Sequence, residues 1–475
     1  MIQKINKWFK KTKYHPVNKK LLREYNAIRP REKRKLLCHA PFKSLLFNPS
    51  GQVTFCHYNR GLSLGKYPEN SIHEIWFGKK INKLRKYIRH NDLSLGCQSC
   101  RKDIINRNFY STGAIKYDYL PDLDSEYPCM LSFQTDNTCT LECIMCSGEY
   151  SSSIRKNREK KPAYKNPYDS EFVNQLEEFI PHLKTVSFTG GEPFLIDLYY
   201  DIWDRIIKIN PDITIYVSSN GTILNNKVKD LLNKANFNLT ISIDSLQKKT
   251  YESIRKNSNF ENVSNNIKYF YDYSKKNNRI FSVKFVLIRK NYQDIPELFR
   301  FWNNKSIQIY ANPVVIPTYL SLQTLEPDKL KKVIDYLSGF SFENNTEIQK
   351  NNNKRYKDII NRLTNWYKNS TDRESYNFLA NKDISEIKKI FFEQIKCYVT
   401  DDYTLKEDEK KVKINKLKII SEKIFDSIKD EKIIRNSLIR LITGLPVDML
   451  IADMERANIE TLIARFEQES MDIAE

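Results

Sequence analysis

The sequence predicts an α/β fold, a partial TIM-like (β/α)6 barrel that follows a small cysteine-containing domain and precedes a helical C-terminal region. Three observations lead to this prediction. Six β-rich runs alternate with helical patterns between residues 128 and 317. After Leu320 the strands cease and polar, Lys-, Asn- and Glu-rich helical patterns take over. Ahead of the barrel, four cysteines stand apart from the three that follow its first strand.

The six β-rich runs indicate parallel strands, because a helix separates each run from the next. In chain order the runs are PCMLSFQT, KTVSFTG, DITIYVSS, FNLTISID, RIFSVKFVLI and SIQIYANPVVIP. The helical patterns between them are SEFVNQLEEFIPHL, LYYDIWDRIIKI, KVKDLLNKA, one long stretch from Gln247 to Lys276, and IPELFRFW. Six units are too few for a complete eight-fold barrel, so we expect an open one. The loops after the strands should carry the chemistry.

The length of 475 residues exceeds what one hydrophobic core organises. We predict a basic extension over 1–37, a cysteine domain over 38–125, the barrel over 126–320 and helices with an acidic tail over 321–475. No apolar run is long enough for a membrane span or a secretory signal, which predicts a cytoplasmic protein.

Charge is distributed unevenly along the chain. Residues 1–37 carry 13 Lys and Arg against 2 Asp and Glu, a net charge of +11, whereas Gly444–Glu475 carries 2 against 8, a net charge of −6. A basic arm could hold nucleic acid, an acidic peptide or an anionic membrane surface. It could equally be a solvated segment of a lysine-rich chain, and no other feature indicates nucleic acid.

The loop CTLECIMC places Cys139, Cys143 and Cys146 within eight residues. In a reducing compartment such a group indicates metal ligands or catalytic thiols. A closed tetrahedral zinc site needs four protein ligands and this loop offers three, so one position stays open. The alternative, three cysteines packed as small apolar side chains, suits the polar loop poorly.

A second motif, TGGEP, ends the second predicted strand. Gly190 and Gly191 allow unusual backbone angles and close approach, Glu192 supplies charge for an ammonium group, and Pro193 fixes the turn. Alone, the motif could be an ordinary strand-to-helix turn.

Together the two motifs resemble the radical SAM superfamily. The resemblance implies a 4Fe-4S cluster on Cys139, Cys143 and Cys146 whose fourth iron chelates S-adenosylmethionine, with TGGEP at the methionyl amino group. It further implies an enzyme that forms a 5′-deoxyadenosyl radical, and an electron donor such as flavodoxin or ferredoxin. One departure is Met145, where the family often has an aromatic residue.

Weaker stretches resemble the family's contacts to the ribose and carboxylate of the cofactor. Ser218 and Asn220 end the third strand, and Ser242 and Asp244 end the fourth. Each pair is spaced so that both side chains share a face; turn capping is the alternative. Arg255 resembles an arginine near the cofactor carboxylate, and a surface ion pair is its alternative. The sequence does not identify a catalytic acid or base.

The upstream cysteines, Cys38, Cys56, Cys97 and Cys100, resemble the auxiliary-cluster part of SPASM and twitch domains. The pattern is Cys, a gap, Gly-x4-Cys and CxxC. It precedes the barrel instead of following it, and it has ligands for one cluster only. The resemblance implies a second 4Fe-4S cluster, and a structural zinc site is the alternative.

Relatives with such domains modify peptides or proteins, and others oxidise small sugar-like metabolites. Peptide or protein modification is therefore the first expectation and small-molecule oxidation the second. An iron-sulfur or zinc protein without turnover is the alternative of another class.

Overall fold

The structure is a computed structural model, and it describes residues 14–58, 62–109, 112–121, 125–314, 317–370, 378–400, 405, 407–444, 447–456 and 459–470. Much of the predicted basic arm, residues 1–13, lies outside them, as does the end of the acidic tail. The chain forms two compact units. The first comprises Met1–Asn137, Tyr164–Tyr216 and Leu231–Asn236; the second comprises Thr138–Ala163, Val217–Asp230 and Phe237–Glu475.

The elements up to the middle of the chain contain the predicted cysteine domain and the first barrel strands. They are α1 (Lys19–Ala27), α2 (Ala40–Lys43), β1 (Ser44–Phe47), β2 (Gln52–Thr54), β3 (Gly65–Lys66), α3 (Ile72–Phe77), α4 (Lys79–Arg89), α5 (Gln98–Ile105), β4 (Met130–Phe133), α6 (Ser152–Asn157), α7 (Ser170–Leu176), β5 (Thr185–Phe188), α8 (Asp197–Ile209) and β6 (Thr214–Ser219).

The later elements complete the alternation and add the C-terminal helices. They are α9 (Asn226–Leu232), β7 (Phe237–Ser242), α10 (Lys248–Ile254), α11 (Phe260–Lys276), β8 (Phe281–Leu287), α12 (Ile295–Asn304), β9 (Gln308–Pro313), α13 (Pro327–Ser338), α14 (Glu347–Ser370), α15 (Ile384–Thr400), α16 (Glu407–Ser427), α17 (Glu431–Gly444), α18 (Val447–Arg456) and α19 (Ile459–Ser470). The predicted α/β class is confirmed, with six strands, β4 to β9, alternating with helices.

In the first unit, β1 to β5 pair in the order β3-β2-β1-β4-β5. The β1–β4 and β4–β5 pairs are parallel, and the β1–β2 and β2–β3 pairs are antiparallel. Phe47, Phe133 and Phe188 stand at one register on β1, β4 and β5, and their rings stack with centroids 5.5 and 4.9 Å apart. Such cross-strand pairs stabilise a sheet. The cysteine domain thus contributes a strand, β1, beside the first barrel strand, which the sequence did not indicate.

In the second unit, β7, β8 and β9 form parallel neighbours. The long helical stretch predicted from Gln247 to Lys276 is wrong, because the chain forms two helices, α10 and α11, separated near Asn257. Asn257 adopts φ +69°, a left-handed conformation that asparagine tolerates and a continuous helix does not. Asn259 then caps α11 by accepting from the backbone N–H of Asn262.

The region after Leu320 is helical, as predicted. The helices α15 to α19 share a buried core that includes Ile387, Phe391, Leu417 and Leu438. No helix among the described residues is long and apolar enough to cross a membrane.

The described part of the predicted basic extension packs into the first unit. Tyr25 and Leu37 are buried, and so are the charged residues Arg29 and Lys33. The Lys33 ammonium donates to the Leu120 carbonyl at 2.8 Å. This part of the extension is therefore not a solvated arm.

Candidate active site

The loop after β4 gathers its three cysteines in the second unit. Cys139 and Cys143 are each 9% exposed and pack around Leu141, and Cys146 and Met145 pack against this group. Met145 therefore occupies an apolar position beside the thiols, which fits the mild departure noted in the sequence.

The backbone of this loop is held from two sides. The Ser151 hydroxyl donates to the Leu141 carbonyl at 2.7 Å, and the Ser153 hydroxyl donates to the Cys139 carbonyl at 2.9 Å. On the other side, the N–H groups of residues 142 and 144 donate to the carbonyls of residues 256 and 254, at 3.0 and 2.9 Å. The break between α10 and α11 frees these carbonyls, so the irregular backbone fixes the loop.

Burial makes these thiols difficult to ionise alone. Burial, together with the neighbouring Cys143 and Cys139, raises the pKa of Cys146 to about 12. Burial also raises the pKa of Cys143, although Arg255 opposes this. Since the thiolate is the metal-binding form and a bound cation stabilises it, a buried trio of this kind fits a metal centre.

The residues predicted at the ends of β6 and β7 lie near this loop. The Asn220 amide nitrogen is 3.8 Å from the Cys139 sulfur. The Asn220 amide oxygen accepts from the Thr222 N–H at 2.8 Å, so the residue also caps its turn. Ser218 accepts a hydrogen bond from Lys284, and Ser242 is buried at the end of its strand. Asn220 therefore caps its turn and at the same time lies beside the cysteine loop.

Asp244 and Arg255 form a buried ion pair. Asp244 is fully buried, Arg255 is 7% exposed, and Nε of Arg255 lies 2.8 Å from Oδ2 of Asp244. Among the residues that the structure describes, neither atom makes a hydrogen bond of good geometry, whereas Asp244 Oδ1 accepts from the Val286 N–H at 2.9 Å. Burial alone would lower the pKa of Arg255, but Asp244, Cys143 and Tyr251 together raise it. The alternative of a surface ion pair is therefore excluded for Arg255.

The TGGEP turn lies in the first unit and is built around one carbonyl. Gly190 adopts φ +121°, and a Cβ there would come within 2.7 Å of the Asp136 carbonyl oxygen. The Gly191 N–H donates to that oxygen at 3.1 Å. Only glycine fits at position 190, for both reasons. Glu192 is fully buried and accepts from the Phe194 N–H at 3.3 Å, so its carboxylate also caps the turn that Pro193 begins.

Unpaired polar atoms surround this turn. Gln134 Oε1, Thr135 Oγ1 and Thr189 Oγ1 are buried and, among the described residues, have no hydrogen-bond partner. Buried polar atoms in folded proteins almost always have partners. Three such atoms after β4 and β5, beside a strained glycine, fit a polar ligand.

Tyr199, on α8, is a positioning residue that sequence reasoning missed. Its hydroxyl donates to the Thr189 carbonyl at 2.7 Å and accepts from the Thr135 N–H at 3.1 Å, which ties the ends of β4 and β5 together. In the sequence it is one aromatic residue in an amphipathic helix, and no local signal distinguishes it.

The four upstream cysteines come together in the first unit. Cys38, Cys56 and Cys97 are buried, and Cys100 is partly buried. Burial raises the pKa of Cys38, and the neighbouring Cys100, Cys56 and Cys97 raise it further. Burial likewise raises the pKa of Cys100 to about 11, against hydrogen bonds from the backbone of residues 114 and 113. Thiols separated by up to 62 residues in the chain are thus close enough to influence one another electrostatically.

A buried ion pair stands beside these four thiols. Arg29 interacts with Cys38 and donates to both carboxylate oxygens of Asp118, at 2.6 and 2.7 Å. The same guanidinium donates to the side chain of Asn26 and to the carbonyls of Lys33 and Leu36. The predicted basic extension therefore supplies a wall of the four-thiol site.

Within the described part of the chain, no three His, Cys, Asp or Glu side chains form a group that could hold a metal ion. A single metal ion would need several of these side chains around one point. In an iron-sulfur cluster each thiolate binds its own iron.

Comparison with known families agrees with these two groups of thiols. Residues 134–301 match the radical SAM superfamily, and residues 38–101 match SPASM, an iron-sulfur cluster-binding domain. The second match favours an iron-sulfur cluster over zinc at Cys38, Cys56, Cys97 and Cys100.

Two curated relatives are GTP 3′,8-cyclases. The probable enzyme of Methanocaldococcus jannaschii is 27% identical over 175 residues, which cover 36% of this chain and 54% of the relative. The enzyme of Chlorobaculum tepidum is 26% identical over 131 residues, or 27% and 36% of the two chains. This chain thus spans about half or less of the length of these relatives.

Solved structures with partial similarity include anSMEcpe with bound AdoMet, at 19% identity and a TM-score of 0.34 over 45% of this chain and 63% of that one. Another is SuiB of Streptococcus suis bound to the precursor peptide SuiA, at 18% identity and a TM-score of 0.32 over 53% and 54% of the two chains.

A radical SAM domain binds a 4Fe-4S cluster and S-adenosylmethionine, and a SPASM domain binds an auxiliary iron-sulfur cluster. The chain thus carries a region that matches the radical SAM superfamily, preceded by a region that matches the SPASM domain.

Proposed function

We propose that the protein is a radical SAM enzyme that modifies a C–H bond in a peptide or protein. The observation that carries this proposal is the group of two buried thiols and one partly buried thiol on one fixed loop, beside the buried Arg255–Asp244 ion pair. A buried guanidinium that stays charged beside the thiols offers a partner to the carboxylate of a bound zwitterion.

In this proposal each chain segment has a separate task. Cys139, Cys143 and Cys146 hold the cluster, and the carbonyls that accept from their loop keep the thiols at fixed spacing. Arg255 faces the cofactor carboxylate, while Asp244 orients the guanidinium and keeps it charged. When bound, the cluster and S-adenosylmethionine supply a 5′-deoxyadenosyl radical that abstracts hydrogen from an unactivated carbon.

The residues of TGGEP receive the amino end of the cofactor in this proposal. The unpaired oxygens of Gln134, Thr135 and Thr189 accept the hydrogen bonds that an ammonium group offers. The hydroxyl of Ser218 and the buried Asn220 and Ser242 are assigned to the ribose. Cys38, Cys56, Cys97 and Cys100 hold the auxiliary cluster, which accepts an electron from the substrate or binds it.

The substrate class rests on the auxiliary domain and on charge. Relatives with such domains modify peptides, and this chain carries a net charge of +20, which suits an acidic peptide. A small-molecule substrate is the second candidate, because the curated relatives are named for a reaction of GTP. A flavodoxin- or ferredoxin-like electron donor and a cytoplasmic location belong to the same proposal.

The test is anaerobic reconstitution of the full chain with iron and sulfide. We expect about eight irons per chain, from two 4Fe-4S clusters, and dithionite-dependent formation of 5′-deoxyadenosine. Deuterium transfer into 5′-deoxyadenosine from candidate peptides and metabolites then identifies the substrate class. Intact clusters without cleavage of S-adenosylmethionine would instead show an iron-sulfur protein without turnover.

A further inference from the structure

The helix α4 carries a basic cavity that neither cluster site uses. The cavity measures about 350 Å³, and its lining includes Lys79, Lys83 and Lys86 together with aromatic rings. These lysines are spaced i, i+4 and i+7, so they lie on one face of the helix. The opposite stripe of α4, which includes Ile81, Leu84 and Ile88, is buried.

The aromatic part of the lining is fixed by packing. Tyr14 stacks on His90 with ring centroids 3.9 Å apart, and it meets the edge of Tyr87 at 5.0 Å. The segment that carries Tyr14 is attached to the end of α4 by a bridge between Pro16 and Asp92. The cavity therefore has an apolar wall that is present before any ligand binds.

The three ammonium groups have no carboxylate partner in the described chain. No ion pair involves Lys79, Lys83 or Lys86 among the described residues, and residues 1–13, which lie outside them, contain no Asp or Glu. Nearby carboxylates are already used. Asp92 accepts from the N–H groups of residues 15 and 94, at 2.6 and 2.8 Å, and Glu178 accepts from the Tyr127 hydroxyl at 2.9 Å.

We propose that this cavity binds an acidic segment of the peptide or protein substrate, with an apolar side chain of that segment against Tyr14, Phe77 and Tyr87. The inference rests on the proposed function. Lys79 and Lys83 are about 6 Å apart along the helix axis, and Lys86 is about 4.5 Å further. Carboxylates at alternate positions of an extended peptide are about 6.7 Å apart, which is close to the step from Lys79 to Lys83. One aromatic or aliphatic side chain suits a cavity of this volume.

Fluorescence anisotropy with the full-length chain tests this site. The probe is a fluorescein-labelled peptide in which Glu alternates with Leu around one central Phe, and the matched peptide has Gln in place of Glu. We expect the Glu peptide alone to bind, more weakly as salt screens the lysines. Lys83→Glu should weaken binding on the order of tenfold, which corresponds to about 1.4 kcal/mol.

Lys80→Glu is the control, since Lys80 is exposed on the same helix but does not line the cavity. It should change affinity less than about twofold, the small effect expected of an exposed charge away from the binding site. Equal binding of the Gln peptide, equal losses in both variants, or tighter binding of a single-stranded RNA oligonucleotide would each overturn the inference.

The same preparation of the unsubstituted chain separates this inference from the proposed function. Formation of 5′-deoxyadenosine without binding of the Glu peptide would overturn the cavity as a peptide site and leave the enzyme. Binding of the Glu peptide without 5′-deoxyadenosine would overturn the enzyme and leave the peptide site.

Discussion

The two groups of thiols are each accompanied by a buried arginine–aspartate pair, and the pairs differ in how completely they are bonded. Beside the four upstream cysteines, Arg29 donates to both oxygens of Asp118 and to three further acceptors. Beside the three-cysteine loop, Arg255 approaches Asp244 to 2.8 Å, yet within the described part of the chain the two facing atoms lack hydrogen bonds of good geometry.

This difference separates a structural role from a ligand-binding one. A fully bonded buried pair fixes the chain around it and has nothing left to offer a ligand. An incompletely bonded pair costs stability unless another group completes it. The comparison therefore assigns a closed environment to the upstream thiols and an open one to the loop after β4.

Substituting one cysteine of each group gives the largest expected effect. Cys143→Ala should abolish 5′-deoxyadenosine formation, because the cluster loses one of only three protein ligands. Cys97→Ala should leave that formation measurable but block the modified product. Chromatographic detection of both molecules from the reconstituted variants distinguishes the two outcomes. If each variant loses both 5′-deoxyadenosine formation and the modified product, the two groups of cysteines do not have separate roles.

A matched pair of isosteric changes tests the ion pairs. Asp118→Asn should destabilise the isolated protein by about 3 kcal/mol, because it leaves the fully bonded Arg29 buried without its countercharge. Asp244→Asn should cost less stability and chiefly weaken binding of S-adenosylmethionine. Urea unfolding measures the first effect and calorimetric titration of the reconstituted protein measures the second. Equal losses of stability in the two variants would contradict the assignment of different roles to the two ion pairs.

Gly190→Ala should have the smallest effect of the three. The φ of +121° and the 2.7 Å approach to the Asp136 carbonyl make alanine cost about 1–3 kcal/mol there. That strain should lower affinity for S-adenosylmethionine roughly tenfold, which titration measures. Gly339→Ala is the control, because a Cβ at that position meets only ordinary van der Waals contact, at 3.4 Å. A neutral Gly190→Ala would exclude a strained turn as part of the site.

The features predicted from sequence were those that adjacent residues determine. The six strands, the cysteine loop and the TGGEP turn all depend on local spacing, so each could be read before the fold was known. Even within local patterns, two breaks between helices were missed. The amphipathic pattern from Asn70 to Ile88 predicts one helix, whereas the chain forms α3, which ends at Phe77, and α4, which begins at Lys79, since Gly78 is extended between them.

The features missed were those that pair distant residues. Arg29 and Asp118 are 89 positions apart, and nothing near either one indicates its partner. Tyr199 resembles every other aromatic residue on its helix until its hydroxyl is placed between two strands. The cavity beside the lysines of α4 likewise depends on Tyr14, which is more than 60 positions away from them in the chain.

The parallel pairing of β1 with β4 has a practical consequence for dissecting the protein. A fragment that starts at residue 126 would lack β1 and so leave the backbone of β4 unpaired along one side. Exposed strand edges of this kind recruit other chains and promote aggregation. Removing the cysteine domain therefore does more than delete a cluster, and an insoluble fragment would say nothing about whether electrons pass through the auxiliary site.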